Sequence, residues 1–133
     1  MAEPHRFQIR VYFEDTDFTA RVYHGAFVRF LERGRTEMLR ATGLDHARLA
    51  ASDPPAFFTL RGMTLRFHGP ALIDDELTVV TRSLAPPRAT INLAQEIYRA
   101  DALLVEATVE LCVINAEGRP MRPSAAIRAA FPV

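Results

Sequence analysis

The sequence has little cysteine and no excess of charge of either sign. Both absences narrow the classes of protein to which the chain could belong. Its single cysteine, Cys112, excludes an internal disulfide and fits a reducing compartment. The 16 basic and 16 acidic residues cancel, so no overall charge favours nucleic acid or a membrane surface. No apolar run approaches the roughly 20 residues that span a bilayer. The stretch MAEPHRFQIR also lacks the apolar core of a secretion signal, so we expect a cytoplasmic protein.

The motifs of several common enzyme classes are missing as well. There is no G-x-S-x-G, which would support an α/β-hydrolase triad, and no glycine-rich loop that would cradle a phosphate. The length favours one domain, residues 1–133, that is large enough to bury a core. The histidines show no metal-ligand spacing; they are His5, His24, His46 and His68.

Hydrophobic periodicity predicts a strand followed by a long helix. Residues 7–13 alternate between apolar and polar side chains, which predicts a half-buried strand with Phe13 on its apolar face. From residue 25 to residue 42, apolar side chains recur at steps of three and four, as on one face of a helix, and Gly43 follows as a stop. Gly34 inside this helix costs about 1 kcal/mol relative to alanine. We therefore expect a sheet to pack closely against it.

The second half of the chain is rich in strand patterns. Short connections join these patterns as hairpins, which favours a mostly antiparallel sheet. A long helix against one sheet makes a two-layer α+β domain. The predicted elements are strands at 57–67 (with a bulge at Gly62), 76–84, 89–98 and 103–114, a hairpin turn at 99–102, and a last helix at 125–131 capped by Ser124.

An acidic cluster lies just ahead of the predicted long helix. Asp17 precedes the helix start, Tyr23-His24-Gly25, by a short loop. The first N–H groups of a helix lack intrahelical acceptors and carry the positive end of the helix dipole. Such donors can stabilise a developing oxyanion, while a carboxylate can act as general base or nucleophile. A carbonyl held between Asp17 and the helix start would be polarised on one side and attacked from the other.

Other roles for the acidic cluster stay open at this point. Asp15, Thr16 and Asp17 are residue types that commonly cap turns. Glu14, Asp15 and Asp17 could instead bind Mg²⁺, although no second acidic or histidine cluster accompanies them. Cys112 lies among apolar strand residues and is better explained as a small buried side chain than as a nucleophile.

The segment VYFEDTDFTARVYHGAFVRFLERGRTEMLR, residues 11–40, closely resembles one protein family. It is similar to the hotdog-fold acyl-CoA thioesterases of the 4-hydroxybenzoyl-CoA thioesterase type, and within them to the Tol–Pal-associated acyl-CoA thioesterase subgroup. Residues 63–79, MTLRFHGPALIDDELTV, resemble a second block of that family. The resemblance implies a hotdog fold, with a long central helix on a curved, mostly antiparallel five-stranded sheet. It also implies a homodimer or a homotetramer built from two dimers.

The resemblance further implies hydrolysis of acyl-CoA thioesters to free acid and CoA, with no metal and no cofactor. Asp17 matches the catalytic carboxylate of the family. His24 matches the residue whose backbone N–H polarises the thioester carbonyl. Tyr23 and the His24 side chain would line the pocket, with Gly25 beside them as a substrate-binding position.

Arginines at strand ends and turns are either solvated or available to ligand phosphates. Arg82, Arg88 and Arg99 fall in this group. Arg88 follows Pro86-Pro87, where members of the family often carry basic residues, so it is the predicted contact for the CoA phosphates.

One part of the motif departs from the family pattern. Similar sequences usually carry glycine three residues after the catalytic aspartate and then an apolar residue, whereas this chain has Ala20 and Arg21. If the backbone there needs a positive φ, alanine is penalised. Arg21 could pair with Glu14 or Asp15, alter the acyl pocket or meet an anionic substrate.

Three functions remain in competition. The first is an acyl-CoA thioesterase, and the second is a thioesterase that acts on acyl-carrier protein, since both substrates present the same pantetheine arm. The third is a non-catalytic hotdog module that binds acyl-CoA or a protein partner. A peripheral membrane association is compatible with each of them.

Overall fold

Alternating apolar residues and short turns build one antiparallel sheet of five strands. The computed structural model describes residues 2–133. The sheet order is β1-β3-β4-β5-β2, so β1 and β2 form its edges. Every neighbouring pair is antiparallel. The strands are β1 His5–Arg10, β2 Phe57–Phe67, β3 Glu76–Ser83, β4 Ile91–Arg99 and β5 Ala102–Ile114.

The long predicted helix is α1, His24–Arg40, and two short helices, α2 His46–Ala50 and α3 Ala125–Ala130, accompany it. Ser124 caps α3 as predicted, since its hydroxyl accepts a hydrogen bond from the Ile127 N–H. Helix α2 was not predicted. Its five residues are too few to show a periodic apolar stripe. The sequence indicates this helix only through Asp45, whose side chain caps it by accepting a hydrogen bond from the Arg48 N–H.

The first strand is shorter than predicted, and Phe13 is the reason. It does not join the buried face; its side chain is 83% exposed at the start of a 3-10 turn, Phe13–Asp15. The Asp15 carboxylate accepts the Tyr12 N–H at 2.9 Å, which bends the chain out of the sheet. The alternating pattern predicted a strand that extends to residue 13, whereas β1 ends at Arg10, because local capping of the backbone overrides the pattern.

Close packing of α1 on the sheet confirms the prediction made from Gly34. A Cβ atom at this position would lie 2.5 Å from Val79 Cγ1 in β3. Glycine at this position leaves room for the Val79 side chain, and this close packing offsets the cost of glycine in helix propensity.

The sheet contains the predicted bulge and one connection that differs from prediction. The register between β2 and β5 shifts between Leu60 and Gly62. Strand β2 pairs with β5 and not with β3, so the segment between β2 and β3 is not a hairpin. This segment is held instead by the chain that leads into α1, where the Val22 N–H donates to Ala71 O and Arg21 forms a bridge with Leu72.

The two halves of α1 pack against opposite ends of the sheet. Near its start, Ala26 shares a core cluster with Ile97 of β4. Near its end, Leu39 shares a second cluster with Ile91, at the other end of β4. Along residues 2–133, no helix has the length and apolar character needed to cross a membrane.

Candidate active site

A small hairpin delivers the chain to the start of α1 and carries the predicted catalytic carboxylate. At its base the Tyr23 N–H donates to Asp15 O at 2.9 Å, and Thr16 bridges Val22. Near its tip the Asp17 N–H donates to Arg21 O at 2.9 Å. Asp17 and the start of α1 therefore lie on the same hairpin. Two residues of strand rise, roughly 7 Å, separate Asp17 from the Asp15–Tyr23 pair.

Asp17 is exposed, and its carboxylate is held in one orientation. Oδ1 accepts a hydrogen bond from the Thr19 hydroxyl at 2.6 Å and another from the Thr19 N–H at 2.8 Å. The Thr19 hydroxyl is the main reason that the pKa of Asp17 lies below its ordinary value, with further contributions from the Thr19 N–H and from Arg21. In the described residues Oδ2 makes no hydrogen bond, so an ionised oxygen is available to a reactant.

Asp15 has a structural position, unlike Asp17. It is buried, and its carboxylate accepts the Tyr12 N–H while its carbonyl accepts the Tyr23 N–H. The turn-capping interpretation therefore describes Asp15 well. Across residues 2–133 no group of three or more histidine, cysteine, aspartate or glutamate side chains is arranged to hold a metal ion.

The first N–H groups of α1 are free to bind an acceptor. The N-cap residue Tyr23 makes no side-chain capping hydrogen bond. His24 and Gly25 occupy the first two helical positions, whose N–H groups have no intrahelical partner, while the Ala26 N–H donates to Tyr23 O at 2.8 Å. Within residues 2–133 these two donors have no backbone acceptor, and they coincide with the positive end of the helix dipole.

Two aromatic rings border these donors. The Tyr23 and His24 ring centroids lie 4.1 Å apart with an interplanar angle of 39°, and both side chains are exposed. A Cβ atom at Gly25 would lie 2.6 Å from Tyr23 Cε2. Glycine at this position therefore lets the Tyr23 ring lie against the helix start, where it forms one wall of the candidate site.

The departure at Ala20 and Arg21 has a defined geometry. Ala20 has a φ of 64°, in the left-handed region that penalises alanine, and its N–H donates to Asp17 O at 3.0 Å. The Arg21 guanidinium donates to Thr19 O at 3.2 Å. It forms no ion pair with Glu14 or Asp15, so of the three suggested roles, pairing with these carboxylates is wrong.

The three arginines at strand ends and turns have different surroundings. Arg82 pairs with Glu96 at 3.1 Å, and Arg99 pairs with Asp75 at 3.1 Å, so both are engaged within the chain. Arg88 is exposed and lines a cavity of about 590 Å³. Arg122 and Arg128 line the same cavity. Sequence reasoning missed these two, because they come from the segment around α3, far from Arg88 along the chain.

Arg88 and Asp17 lie at opposite ends of the domain. Arg88 precedes β4 at Ile91, where the end of α1 packs, whereas Asp17 lies on the hairpin at the start of α1. A helix of 17 residues is about 25 Å long. The two predicted positions are therefore not brought together within a single chain.

Comparison with known proteins agrees with this architecture. The chain is 35% identical over 120 residues to the acyl-CoA thioester hydrolase YbgC of Escherichia coli, covering 90% of this chain and 87% of the relative. It is 34% identical over 126 residues to the acyl-CoA thioesterase YbgC of Haemophilus influenzae, covering 94% and 92%. The crystal structure of a probable thioesterase from Bartonella henselae superposes with a TM-score of 0.89 at 42% identity, covering 91% of this chain and 99% of that one.

These matches confirm the predicted hotdog fold and the resemblance on which it was based. The Thioesterase-like superfamily matches residues 11–131, which include the hairpin, α1, all of β2 to β5 and α3. The chain therefore belongs to the Thioesterase-like superfamily.

Proposed function

We propose that this protein hydrolyses acyl-CoA thioesters to the free acid and CoA, with Asp17 as the catalytic carboxylate. The observation that carries the proposal is the hairpin that joins an ionised, exposed Asp17 to the two unpaired N–H groups at the start of α1. An ionised carboxylate and an oxyanion-binding helix start are the two groups that acyl transfer requires. The names of the YbgC relatives support the same activity.

In the proposed reaction the thioester carbonyl oxygen accepts from the backbone N–H groups of His24 and Gly25. Asp17 either attacks the carbonyl carbon directly or removes a proton from an attacking water. In the first case an anhydride forms, CoA leaves as the thiolate, and water then releases the acid. In the second case a tetrahedral intermediate collapses with loss of the thiolate. Tyr23 and the His24 ring hold the acyl group beside the helix start.

The proposed active unit is a homodimer, or a homotetramer of two dimers, formed by the single domain of residues 1–133. Strand β2 is a long sheet edge of 11 residues with unpaired backbone groups along one side. Exposed edges of this length are usually covered in native proteins. Leu60 and Phe67 on β2 are 47% and 49% exposed, which adds apolar surface to that edge.

A dimer would also explain the distance between Asp17 and Arg88. A two-fold axis perpendicular to α1 places the start of one helix beside the end of the other. Under this arrangement Arg88 of one copy approaches the Asp17 hairpin of the second, and Arg122 and Arg128 accompany it. Three guanidinium groups suit the phosphates of CoA, since each offers a planar fork of N–H donors.

The activity is tested by thiol release from purified protein with a panel of acyl-CoA substrates and the matched acyl-carrier-protein thioesters. Turnover of CoA thioesters that exceeds turnover of the carrier-protein forms supports the proposal. A preference for the carrier-protein forms assigns the alternative thioesterase. Tight binding of acyl-CoA without release of thiol identifies a non-catalytic module and overturns the proposal.

A further inference from the structure

The loop between β2 and β3, residues 68–75, is bonded to the chain on both sides of the hairpin that carries Asp17. On the side that enters the hairpin, Val11 exchanges two backbone hydrogen bonds with the loop, at 2.9 and 3.0 Å. On the side that leaves the hairpin, the Val22 N–H donates to Ala71 O at 2.9 Å. The position of the hairpin therefore depends on the shape of this loop.

A single guanidinium group closes the 68–75 loop. Arg99 lies at the end of β4, and its Nη1 donates to Pro70 O at 2.9 Å and to Asp75 Oδ2 at 3.1 Å. The same oxygen of Asp75 accepts the Leu72 N–H at 2.8 Å. Arg99 therefore joins the two ends of the loop, and the residues between these ends are the ones that bond to the chain leaving the hairpin.

The ion pair between Arg99 and Asp75 lies at the border of the solvent. The exposed fractions of the two side chains are 39% and 22%. Pairs with this exposure contribute little to global stability, because solvent screens the charges and the side chains lose conformational freedom. Arg10 also donates to this loop, at 2.8 Å to Asp74 O, but its side chain is more exposed than that of Arg99. We therefore expect the Arg99 contact to act mainly on the local geometry of the loop.

The 68–75 loop lies next to the groups on which the proposed reaction depends. Val22, which the loop holds, also forms a bridge with Thr16, the residue beside Asp17. Val22 is two residues before His24, where α1 begins. A shift of Val22 would therefore change the position of the Asp17 carboxylate relative to the first N–H groups of α1. Displacement of reacting groups by about 1 Å can lower a rate by about a hundredfold.

We infer that Arg99 is a positioning residue for thioester hydrolysis. By joining Pro70 to Asp75 it fixes the loop that holds Val22, and through Val22 it sets the position of Asp17 against the start of α1. Arg99 acts through the loop and not by contact with the substrate. The inference rests on the proposed function, because that function makes Asp17 the catalytic carboxylate.

The first test measures kcat and KM of Arg99→Gln by thiol release from an acyl-CoA that the unmodified protein cleaves. We expect kcat to fall about tenfold and KM to change by less than about twofold, because the substitution displaces reacting groups without removing a substrate contact. An unchanged kcat would overturn the inference. A raised KM in place of a lowered kcat would also overturn it, because it would indicate direct contact with the substrate.

Arg82→Gln is the matched control for Arg99→Gln. It breaks an ion pair with Glu96 of the same 3.1 Å length and of similar exposure, on the outer part of the same sheet, and it should keep kcat. The urea midpoints of the two variants should be similar, since both pairs are partly exposed. An equal fall of kcat in both variants would overturn the inference, because the loss would then follow from any broken pair.

A double-mutant cycle tests whether Arg99 acts through Asp75. Asp75→Asn removes the negative charge but keeps an oxygen that can accept the Leu72 N–H. If the two side chains act as one contact, kcat of the double variant should equal that of Arg99→Gln within a factor of about two. Losses that multiply would show that Arg99 does not act by joining the ends of the loop, and the inference would be overturned.

Amide hydrogen exchange provides a measurement that does not depend on catalysis. In Arg99→Gln the Val22 amide should exchange faster by about fivefold or more, whereas amides between β2 and β5 should exchange at unchanged rates. If no thioester is cleaved but the Val22 amide responds, the proposed function fails and the positioning contact stands. If thioesters are cleaved and the Val22 amide exchanges at its original rate, the inference is overturned and the proposed function stands.

Discussion

The Asp17 carboxylate accepts two hydrogen bonds from Thr19, both at Oδ1. The Thr19 hydroxyl donates one at 2.6 Å, and the Thr19 N–H donates the other at 2.8 Å. This contact orients the carboxylate and favours its ionised form, and Oδ2 accepts no hydrogen bond within residues 2–133. A turn-capping role and a catalytic role are therefore compatible in the same residue. Substitutions that change turnover without changing stability distinguish the catalytic role from the turn-capping role.

Asp17→Asn should fold normally and lose a factor of about 100 or more in kcat, because asparagine preserves the shape but neither attacks nor accepts a proton. Thiol release at saturating substrate measures the loss, and circular dichroism melting reports the fold. Glu14→Gln is the matched control, since Glu14 is exposed in the same acidic cluster. Asp15→Asn serves less well, because Asp15 is buried and bonded to the Tyr12 N–H. Retained kcat in Asp17→Asn would mean that another group performs the reaction.

Thr19→Val should move the acidic limb of the pH profile of kcat/KM to higher pH. The Thr19 hydroxyl is the largest cause of the lowered pKa of Asp17, and valine removes it while keeping the size and the backbone N–H. Because the pKa of Asp17 is lowered in the folded protein, Asp17 stays ionised at pH values where an ordinary aspartate would be protonated. Loss of the Thr19 hydroxyl raises this pKa, so activity should be lost at a higher pH. At neutral pH both proteins hold an ionised Asp17, so kcat there should change little. An acidic limb that does not move in Thr19→Val would separate Asp17 from the titrating group.

Arg88→Ala should raise KM for acyl-CoA and leave kcat nearly unchanged, as the loss of uniform binding does. An acyl-pantetheine substrate, which lacks the nucleotide, should be cleaved equally well by the variant and the unmodified protein. Arg82→Ala is the control, because Arg82 is paired with Glu96. An equal response of both substrates to Arg88→Ala would show that the phosphate assignment is wrong.

Gly34→Ala should destabilise the protein by up to about 2 kcal/mol. Alanine would gain about 1 kcal/mol in helix propensity, but its Cβ would lie 2.5 Å from Val79 Cγ1, and overpacking of a core costs about 1–3 kcal/mol. Urea unfolding measures the change. Val79→Ala should partly rescue Gly34→Ala, so that the double variant is more stable than the sum of the two single changes predicts. A stabilised Gly34→Ala would contradict the close approach of helix and sheet.

Ala20→Gly should stabilise the protein by about 0.5–1 kcal/mol. Ala20 has a φ of 64°, and a left-handed conformation costs an L-residue about 1–2 kcal/mol, more than glycine loses through the freedom of the unfolded chain. The denaturation midpoint should rise with an unchanged slope. Ala41→Gly is the opposite control, because Ala41 has a φ of −63° and should lose stability. A lower midpoint for Ala20→Gly would indicate that the Ala20 methyl group makes a contact that offsets its backbone cost.

The five strands, the helices α1 and α3, the two-layer α+β fold and the close packing at Gly34 were predictable from the sequence. Period-two and period-3.6 patterns and a glycine inside a helix are local signals. The bulge at Gly62 and the cap at Ser124 were predictable for the same reason. The period-two pattern failed where a nearby side chain capped the backbone. Phe13 left the sheet because Asp15 capped the preceding backbone.

Only the tertiary structure decided which residues meet. Strand order placed β2 beside β5 and left it as an edge, a result of long-range pairing that no local pattern contains. Folding brought Arg122 and Arg128 to the cavity that Arg88 lines, and it placed the Arg35 guanidinium against Gln95. A sequence specifies the order of side chains along the chain, whereas a site depends on the distances in space between side chains that are far apart in that order. The proximity of Asp17 to the start of α1 could be predicted because Asp17 and His24 are close in the chain, whereas the cavity that Arg88 lines could not be predicted.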